Sequence, residues 1–148
     1  MPQLTVNELG SGYTHAIKFD WRDLQSTGWL STIGAANQRK IGTVGPGGIV
    51  DRVVVINVDA EAGSSTLTLD VGVTAADPDD FIDNLDVDGL TKAATNTGDV
   101  LSTGAYINNT ATGVDILMEF NPVDSTGVTA LTTGSWVIAW RQLEANQA

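Results

Sequence analysis

The sequence predicts an all-β protein, a sandwich or a barrel built from about eight short strands. Short apolar segments recur with turn signals roughly every 8–12 residues. Several of these segments alternate apolar and polar residues, as half-buried strands do, and long helical periodicity is absent. A length of 148 residues is that of one domain.

The first third of the chain contains one strand and a long irregular segment. Residues 1–13 are polar and glycine-rich and are predicted to form an N-terminal arm. Residues 15–21 alternate, with His15 on the inner, aromatic face of a first strand. Residues 23–48 are predicted to form a long Gly-rich loop, with a short hairpin over 39–44 as an alternative. Such a loop either contacts a partner or folds back over the open end of the sandwich.

The central segment predicts two strands followed by a short helix. Residues 53–58 are almost all apolar and mostly β-branched, which is typical of a strand covered on both faces. After a turn over 61–64, residues 66–73 alternate strictly. A helix near 78–86 is then predicted, because Asp77 can cap it and Pro78 suits its first position.

The C-terminal part of the chain predicts further strands. The pattern favours short strands at 100–101 and 105–107 and a longer one over 114–120. The last strand is predicted over 135–143, with its tryptophans on one face. A single domain over 14–144 is therefore expected, followed by a tail, 145–148, that frays.

The charge is strongly acidic and unevenly spread. The net charge is −11, and from Val53 onward only Lys92 and Arg141 oppose fourteen acids. This acidic part of the chain is repelled by the phosphate backbones of nucleic acids, so no nucleic-acid partner is expected. No apolar run reaches the roughly 20 residues of a membrane span, and the first ten residues do not resemble a signal peptide. The near-neutral first third could face a partner, or the acids could simply maintain solubility.

The residues that usually carry catalysis are scarce. The chain has no cysteine, and its one histidine, His15, is interpreted as a core or edge residue rather than a base. A set of Ser11, His15 and Asp20 lacks any supporting nucleophile motif. We therefore expect neither enzymatic activity nor a cofactor.

A weak calcium candidate lies in the acidic segment. Asn84, Asp86 and Asp88 alternate ahead of Gly89, as in the first half of a calcium loop. The second half departs from that motif, because Thr95 stands at the closing position that needs a bidentate glutamate. No metal is therefore predicted.

Residues 48–144 resemble the β-sandwich capsid decoration, or cement, proteins of tailed bacteriophages. The segments that carry the resemblance are GGIVDRVVVINVDAEAGSSTLTLDVGVTAADPDDFIDNLDV, STGAYINN and VDILMEFNPVDSTGVTALTTGSWVIAWRQLE. The resemblance implies an antiparallel, jelly-roll-like β-sandwich without enzymatic activity. It also implies binding to the outside of an assembled shell of major capsid protein, commonly as a homotrimer that bridges capsid subunits.

These observations lead to one functional hypothesis and one alternative. The chain is expected to be a virion protein on the outer capsid surface, made in the host cytoplasm, with no membrane partner. The candidate contact residues, to capsid or neighbouring protomer, are Trp29, Arg39, Lys40 and Ile41. The alternative is a host-surface or glycan-binding module of a phage fibre or tail tip, for which Trp29 is the one tryptophan predicted on a loop.

Overall fold

The computed structural model describes residues 12–26, 31–33, 36–63, 67–87, 95–96, 105–122 and 127–145. Two five-stranded antiparallel sheets form a β-sandwich. The first sheet contains β1 (His15–Asp20), β4 (Ile49–Ala62), β7 (Thr95–Asn96), β8 (Tyr106–Ile107) and β10 (Thr133–Leu143). The second contains β2 (Ser31–Ile33), β3 (Ala36–Val44), β5 (Leu67–Gly72), β6 (Ile82–Asp86) and β9 (Val114–Pro122). A short helix, α1 (Trp21–Gln25), and a 3-10 helix (Gly127–Ala130) connect strands.

The strand order is that of a jelly roll. The first sheet runs β1-β10-β4-β7, with β8 also paired to β4, and the second runs β2-β3-β9-β5-β6. With β7 and β8 counted as one interrupted strand along β4, and β2 as an added edge, eight strands remain. Numbered one to eight along the chain, these strands lie in the order 1-8-3-6 in the first sheet and 2-7-4-5 in the second. This order is the double Greek key of jelly rolls. The predicted fold class is confirmed.

The core lies between the two sheets and follows the predicted alternation. On β10, Trp136 and Trp140 are 0% and 2% exposed, and both face inward. The Trp136 ring packs against Phe19 of β1 and Phe120 of β9, with ring centroids 5.7 and 5.5 Å apart. Aromatic side chains from both sheets therefore meet at the centre, where each buries a large apolar area.

The predicted helix near 78–86 is wrong. Residues 82–86 form β6, which pairs with β5 and places Leu85 opposite Leu69. Phe81 is fully buried, and its amide donates to the carbonyl of Val71 at 2.9 Å. An amphipathic helix would satisfy its backbone hydrogen-bonding groups internally. Here pairing with β5 satisfies them instead, and Phe81 lies in the core. Tertiary contacts override the local helix signals of Asp77 and Pro78.

The short helix occurs instead at the end of β1. Asp20 caps α1, since its carboxylate accepts from the amides of Arg22 and Asp23, and the Asp23 carboxylate accepts from the amide of Asp20. This capping box explains why the chain leaves the sheet before Trp21, which the sequence had placed on the strand.

The long loop expected over 23–48 contains two strands. Residues 31–33 and 36–44 form β2 and β3, and the hairpin alternative over 39–44 falls within β3. β3 pairs with β9 over most of its length, so its backbone groups are satisfied despite its polar sequence. Of the predicted arm only Gly12 and Tyr13 are described, and the predicted strand at 100–101 and the tail from 146 onward lie outside the described residues.

Candidate functional site

Three of the four predicted contact residues lie together on β3. The Lys40 ammonium pairs with Asp115 of β9 at 3.2 Å, and both side chains are more than half exposed. Ile41 stands at a register shift between β3 and β9 and packs against the core. Arg39 is partly buried, and its ladder partner, Met118, faces the core. Of these three residues Lys40 is therefore the most exposed to solvent, while Trp29 lies outside the described residues.

His15 is placed as the sequence predicts, as a packed residue of the first strand. Its ring stacks on Trp140 with a centroid separation of 5.4 Å, and Nδ1 hydrogen-bonds with the Thr14 hydroxyl at 2.7 Å. Burial lowers the pKa of His15 below its usual value, although Glu144 opposes the shift. A neutral, stacked imidazole is a structural group at neutral pH.

The outer face of the second sheet carries a buried polar cluster that sequence analysis missed. Asp70 of β5 stands directly opposite Glu119 of β9, and the two are 2% and 5% exposed. Gln38 of β3 is 1% exposed, and its amide nitrogen donates to Glu119 Oε2 at 2.6 Å and to the carbonyl of Ala75 at 2.7 Å. Like charges directly opposite one another on adjacent strands are destabilising. The carboxylates of Asp70 and Glu119 therefore repel each other when both are charged.

The segment between β5 and β6 covers this cluster. The Asp80 carboxylate accepts from the amides of Val73 and Thr74 at 2.7 and 3.0 Å, which fixes the turn after β5. A Cβ on Gly72 would meet the Asp80 backbone nitrogen at 2.6 Å, so only glycine permits this close approach. Asn84 adopts a φ of 50° on β6, and its amide donates to Asp70 Oδ1 at 2.5 Å.

The electrostatics of Asp70 follow from this enclosure. Desolvation is the largest effect and raises the pKa of Asp70 to about 6, with further contributions from the negative charges of Glu119, Asp83 and Asp77. The hydrogen bond from the Asn84 amide opposes the shift because it stabilises the carboxylate. Asp70 therefore titrates in a range where a surface aspartate would already be fully charged.

The carboxylates of Asp70, Asp77 and Glu119 place one oxygen each within 4.8 Å of one another. Hard cations such as Ca²⁺ take oxygen ligands, so these residues could hold one. The spacing alone does not make a metal site, because acidic groups also gather without an ion.

The calcium loop considered from sequence is not formed by the described residues. Asn84 and Asp86 lie on β6, and the Asn84 amide group donates to Asp83 Oδ1 at 2.6 Å, while Asp88 lies outside the described residues. An extended strand does not wrap an ion as a twelve-residue loop does. The cluster at Asp70 could have been suspected from a charged residue at an outward position between two apolar strand residues. Its partner from β9 depends on a register that the sequence does not reveal.

Comparison with known proteins gives a structural likeness but no sequence match. No family model and no curated protein matches the chain. Among the described residues, none of the helices has the length and apolar character to cross a membrane. A solved structure entitled "Cyanophage Pam1 capsid asymmetric unit" is similar over 86% of this chain and 78% of that chain, with 16% identity and a TM-score of 0.49. At that identity and TM-score, the likeness carries no functional assignment.

Proposed function

We propose that this chain is a bacteriophage capsid decoration protein that binds the outer surface of the shell and bridges neighbouring capsid subunits without enzymatic activity. The observation that carries the proposal is the resemblance of residues 48–144 to such proteins, together with the jelly roll that these residues form with β1 and β3. Jelly rolls recur among viral capsid domains, and closure into two packed sheets gives a rigid unit suited to bridging.

The contact surface in this proposal is the part of the near-neutral N-terminal third that contains Trp29 and the segment from Arg39 to Ile41. Lys40 is the accessible part of it on β3, because its ion pair with Asp115 is solvent-exposed and breaks at little cost. Trp29 adds an aromatic anchor of the kind that dominates interface energetics. Ile41 holds the strand in place by packing against the core, and Arg39 beside it is partly buried. A homotrimer would multiply weak single contacts when it sits on a symmetric position of the shell.

The test is binding to empty capsids of the phage that encodes the chain. We expect the protein to sediment with the capsids, and the double variant Trp29→Ala with Lys40→Ala to lose about 10-fold or more in affinity. The matched control is Lys18→Ala on the first sheet, which should bind as the unchanged protein does. Solution mass should be three times the 15.5 kDa of one chain.

Two results would count against the proposal. Absence of binding to capsids at saturating protein would remove the decoration role. Equal binding by the double variant would show that Trp29 and Lys40 do not form the contact. A monomeric mass would contradict only the trimer.

A further inference from the structure

A cleft of about 530 Å³ opens at one end of the outer face of the first sheet. It lies where the end of β1 and the start of α1 diverge from the facing ends of β4 and β10. Its volume is within the roughly 300–1,000 Å³ of small-molecule sites. The cleft is on the opposite sheet from Lys40 and the buried carboxylates.

Backbone irregularities create this cleft. The ladder between β10 and β4 shifts register twice, on either side of Ser135, and Gly134 adopts a φ of 134°. A Cβ at Gly134 would meet the Trp136 ring at 2.7 Å, so a larger residue would displace a core tryptophan. On the other side, the capping box at Asp20 turns the chain out of the sheet. Bulges beside a cavity often re-aim side chains for binding.

Polar groups cross the floor of the cleft in one row. Asp20, Ser135 and Asp59 are ladder neighbours on three adjacent strands, so the two carboxylates flank the serine. Ser135 donates its hydroxyl to Asp59 Oδ2 at 3.0 Å, and Asp20 Oδ1 accepts the amides of α1. Within the described ranges, the second oxygen of each carboxylate has no hydrogen-bond donor from the protein. Two acceptors therefore remain for a ligand.

Two cations and an indole complete the lining. Neither Lys18 nor Arg22 has a carboxylate within ion-pair distance in the part of the chain that the structure describes, whereas Lys40 and Arg141 each have one. The Arg22 guanidinium lies 5.2 Å from the centroid of the Trp21 ring, which holds its donors at the rim. Trp21 packs partly on the core and lines the cleft with the rest of its surface.

We propose that this cleft binds a neutral saccharide. Its lining holds two positive and two negative side chains, so it is neutral in a chain of net charge −11. An anionic ligand would be repelled by Asp20 and Asp59, and a cationic one by Lys18 and Arg22. The hydroxyls of a sugar both donate and accept, so they can satisfy the carboxylates and the cations together. The apolar face of the ring can rest against the exposed part of Trp21.

The experiment is an NMR titration of the intact chain, labelled with ¹⁵N. The probes are the neutral sugars glucose, galactose, mannose and N-acetylglucosamine, with N-acetylneuraminic acid and glucosamine as the anionic and cationic comparisons. We expect saturable shifts of the Trp21 indole and of the Lys18 and Ser135 amides with at least one neutral sugar. The two charged probes should bind more weakly.

Two substitutions test the assigned contacts without removing core residues. Asp59→Asn keeps an oxygen that can accept from Ser135 but loses the charge, and Lys18→Met keeps the length of the side chain but loses the ammonium. Each should weaken sugar binding about 10-fold or more, since hydrogen bonds to charged groups are the stronger ones. Lys40→Met, the same change on the second sheet, is the matched control and should bind as before.

Three outcomes would overturn the proposal: no shift at the cleft with any neutral sugar, preferential binding of a charged probe, or unaltered binding by both cleft variants. Equal melting temperatures of the variants and the unchanged protein would show that lost binding does not reflect lost folding. Failure here would leave capsid binding untouched, because that contact is assigned to Trp29 and Lys40, whereas the cleft variants change Asp59 and Lys18.

Discussion

The outer faces of the two sheets are both partly buried, but with opposite chemistry. On the first sheet, an apolar cluster separate from the core consists of Ala16, Val54, Val137 and Ala139. Each is at most 4% exposed, and Tyr13 packs against them. On the second sheet, the matching position holds the polar cluster of Gln38, Asp70 and Glu119. One face excludes water from small aliphatic groups, and the other encloses carboxylates under the segment between β5 and β6.

The difference teaches that burial has different consequences on the two faces. Covering aliphatic side chains is favourable and insensitive to pH, at about 25 cal/mol per Å² of apolar surface. Covering carboxylates costs free energy unless they are hydrogen-bonded or protonated. We therefore expect exchanges between aliphatic side chains on the first sheet to act equally at every pH, and substitutions that add or remove a buried carboxylate to act in a pH-dependent way.

The largest effect is expected from a charge placed in the apolar cluster. Ala139 is fully buried between Ala16 and Val54 on the neighbouring strands, so Ala139→Asp would bury a carboxylate without a cation opposite it. We expect a loss of about 3–5 kcal/mol in the free energy of unfolding. Urea denaturation at pH 7 measures it, with the exposed Ala111→Asp as the matched control. Equal, small losses for both variants would show that the cluster is not sealed from water.

A smaller effect, a gain rather than a loss in the free energy of unfolding, is expected from a substitution of Asp70. Its pKa is raised on folding, from 3.8 to about 6, so the folded state holds the proton more tightly than the unfolded state does. The contribution of Asp70 to the free energy of unfolding is therefore greatest below about pH 4, and it falls as the pH rises through about 6. Asp70→Asn should remove that fall and raise the free energy of unfolding at pH 8 by about 1–2 kcal/mol, since solvent screens part of the cost of the charge.

The measurement for Asp70 is urea denaturation between pH 4 and pH 8. Asparagine keeps an oxygen that can accept from the Asn84 amide, so the variant removes the charge and retains that hydrogen bond. Asp115→Asn, on the exposed part of the same sheet face, serves as the control and should change stability by less than about 1 kcal/mol. Parallel pH profiles for Asp70→Asn and the unchanged protein would contradict the assignment of the titration to Asp70.

The smallest effect is expected from Lys40→Met. The ion pair of Lys40 with Asp115 lies on the same sheet as the buried carboxylates but is open to solvent. Exposed pairs contribute at most about 1 kcal/mol, and salt screens them. Denaturation at low and high salt should therefore give nearly the same stability for this variant and the unchanged protein. A loss above about 2 kcal/mol would indicate that the pair is effectively buried.

Much of the fold can be predicted from alternation, because inward side chains of a sandwich recur every second residue. Trp136 and Trp140 on β10 and Leu67, Leu69 and Val71 on β5 follow this rule and lie in the core. The helix signals at Asp77 and Pro78 mislead because they are local, while β6 is held by pairing with β5. Local sequence patterns do not identify the strand with which a segment pairs.

The candidate sites were harder to predict for the same reason. Asp20, Ser135 and Asp59 come from three separate strands, and only the register brings them into one row. Asp70 and Glu119 likewise meet across a ladder, 49 positions apart in the chain. Lys40 could be predicted as exposed, since a lysine on a strand with polar neighbours points to solvent.

The pairing of β1 with β10 has a consequence for synthesis. β1 lies beside β10, and the Gln142 amide of β10 donates to the Thr14 hydroxyl 128 positions earlier in the chain, so β1 lacks this neighbour until β10 has left the ribosome. Such distant contacts slow folding, because the chain loses conformational entropy before these contacts stabilise it.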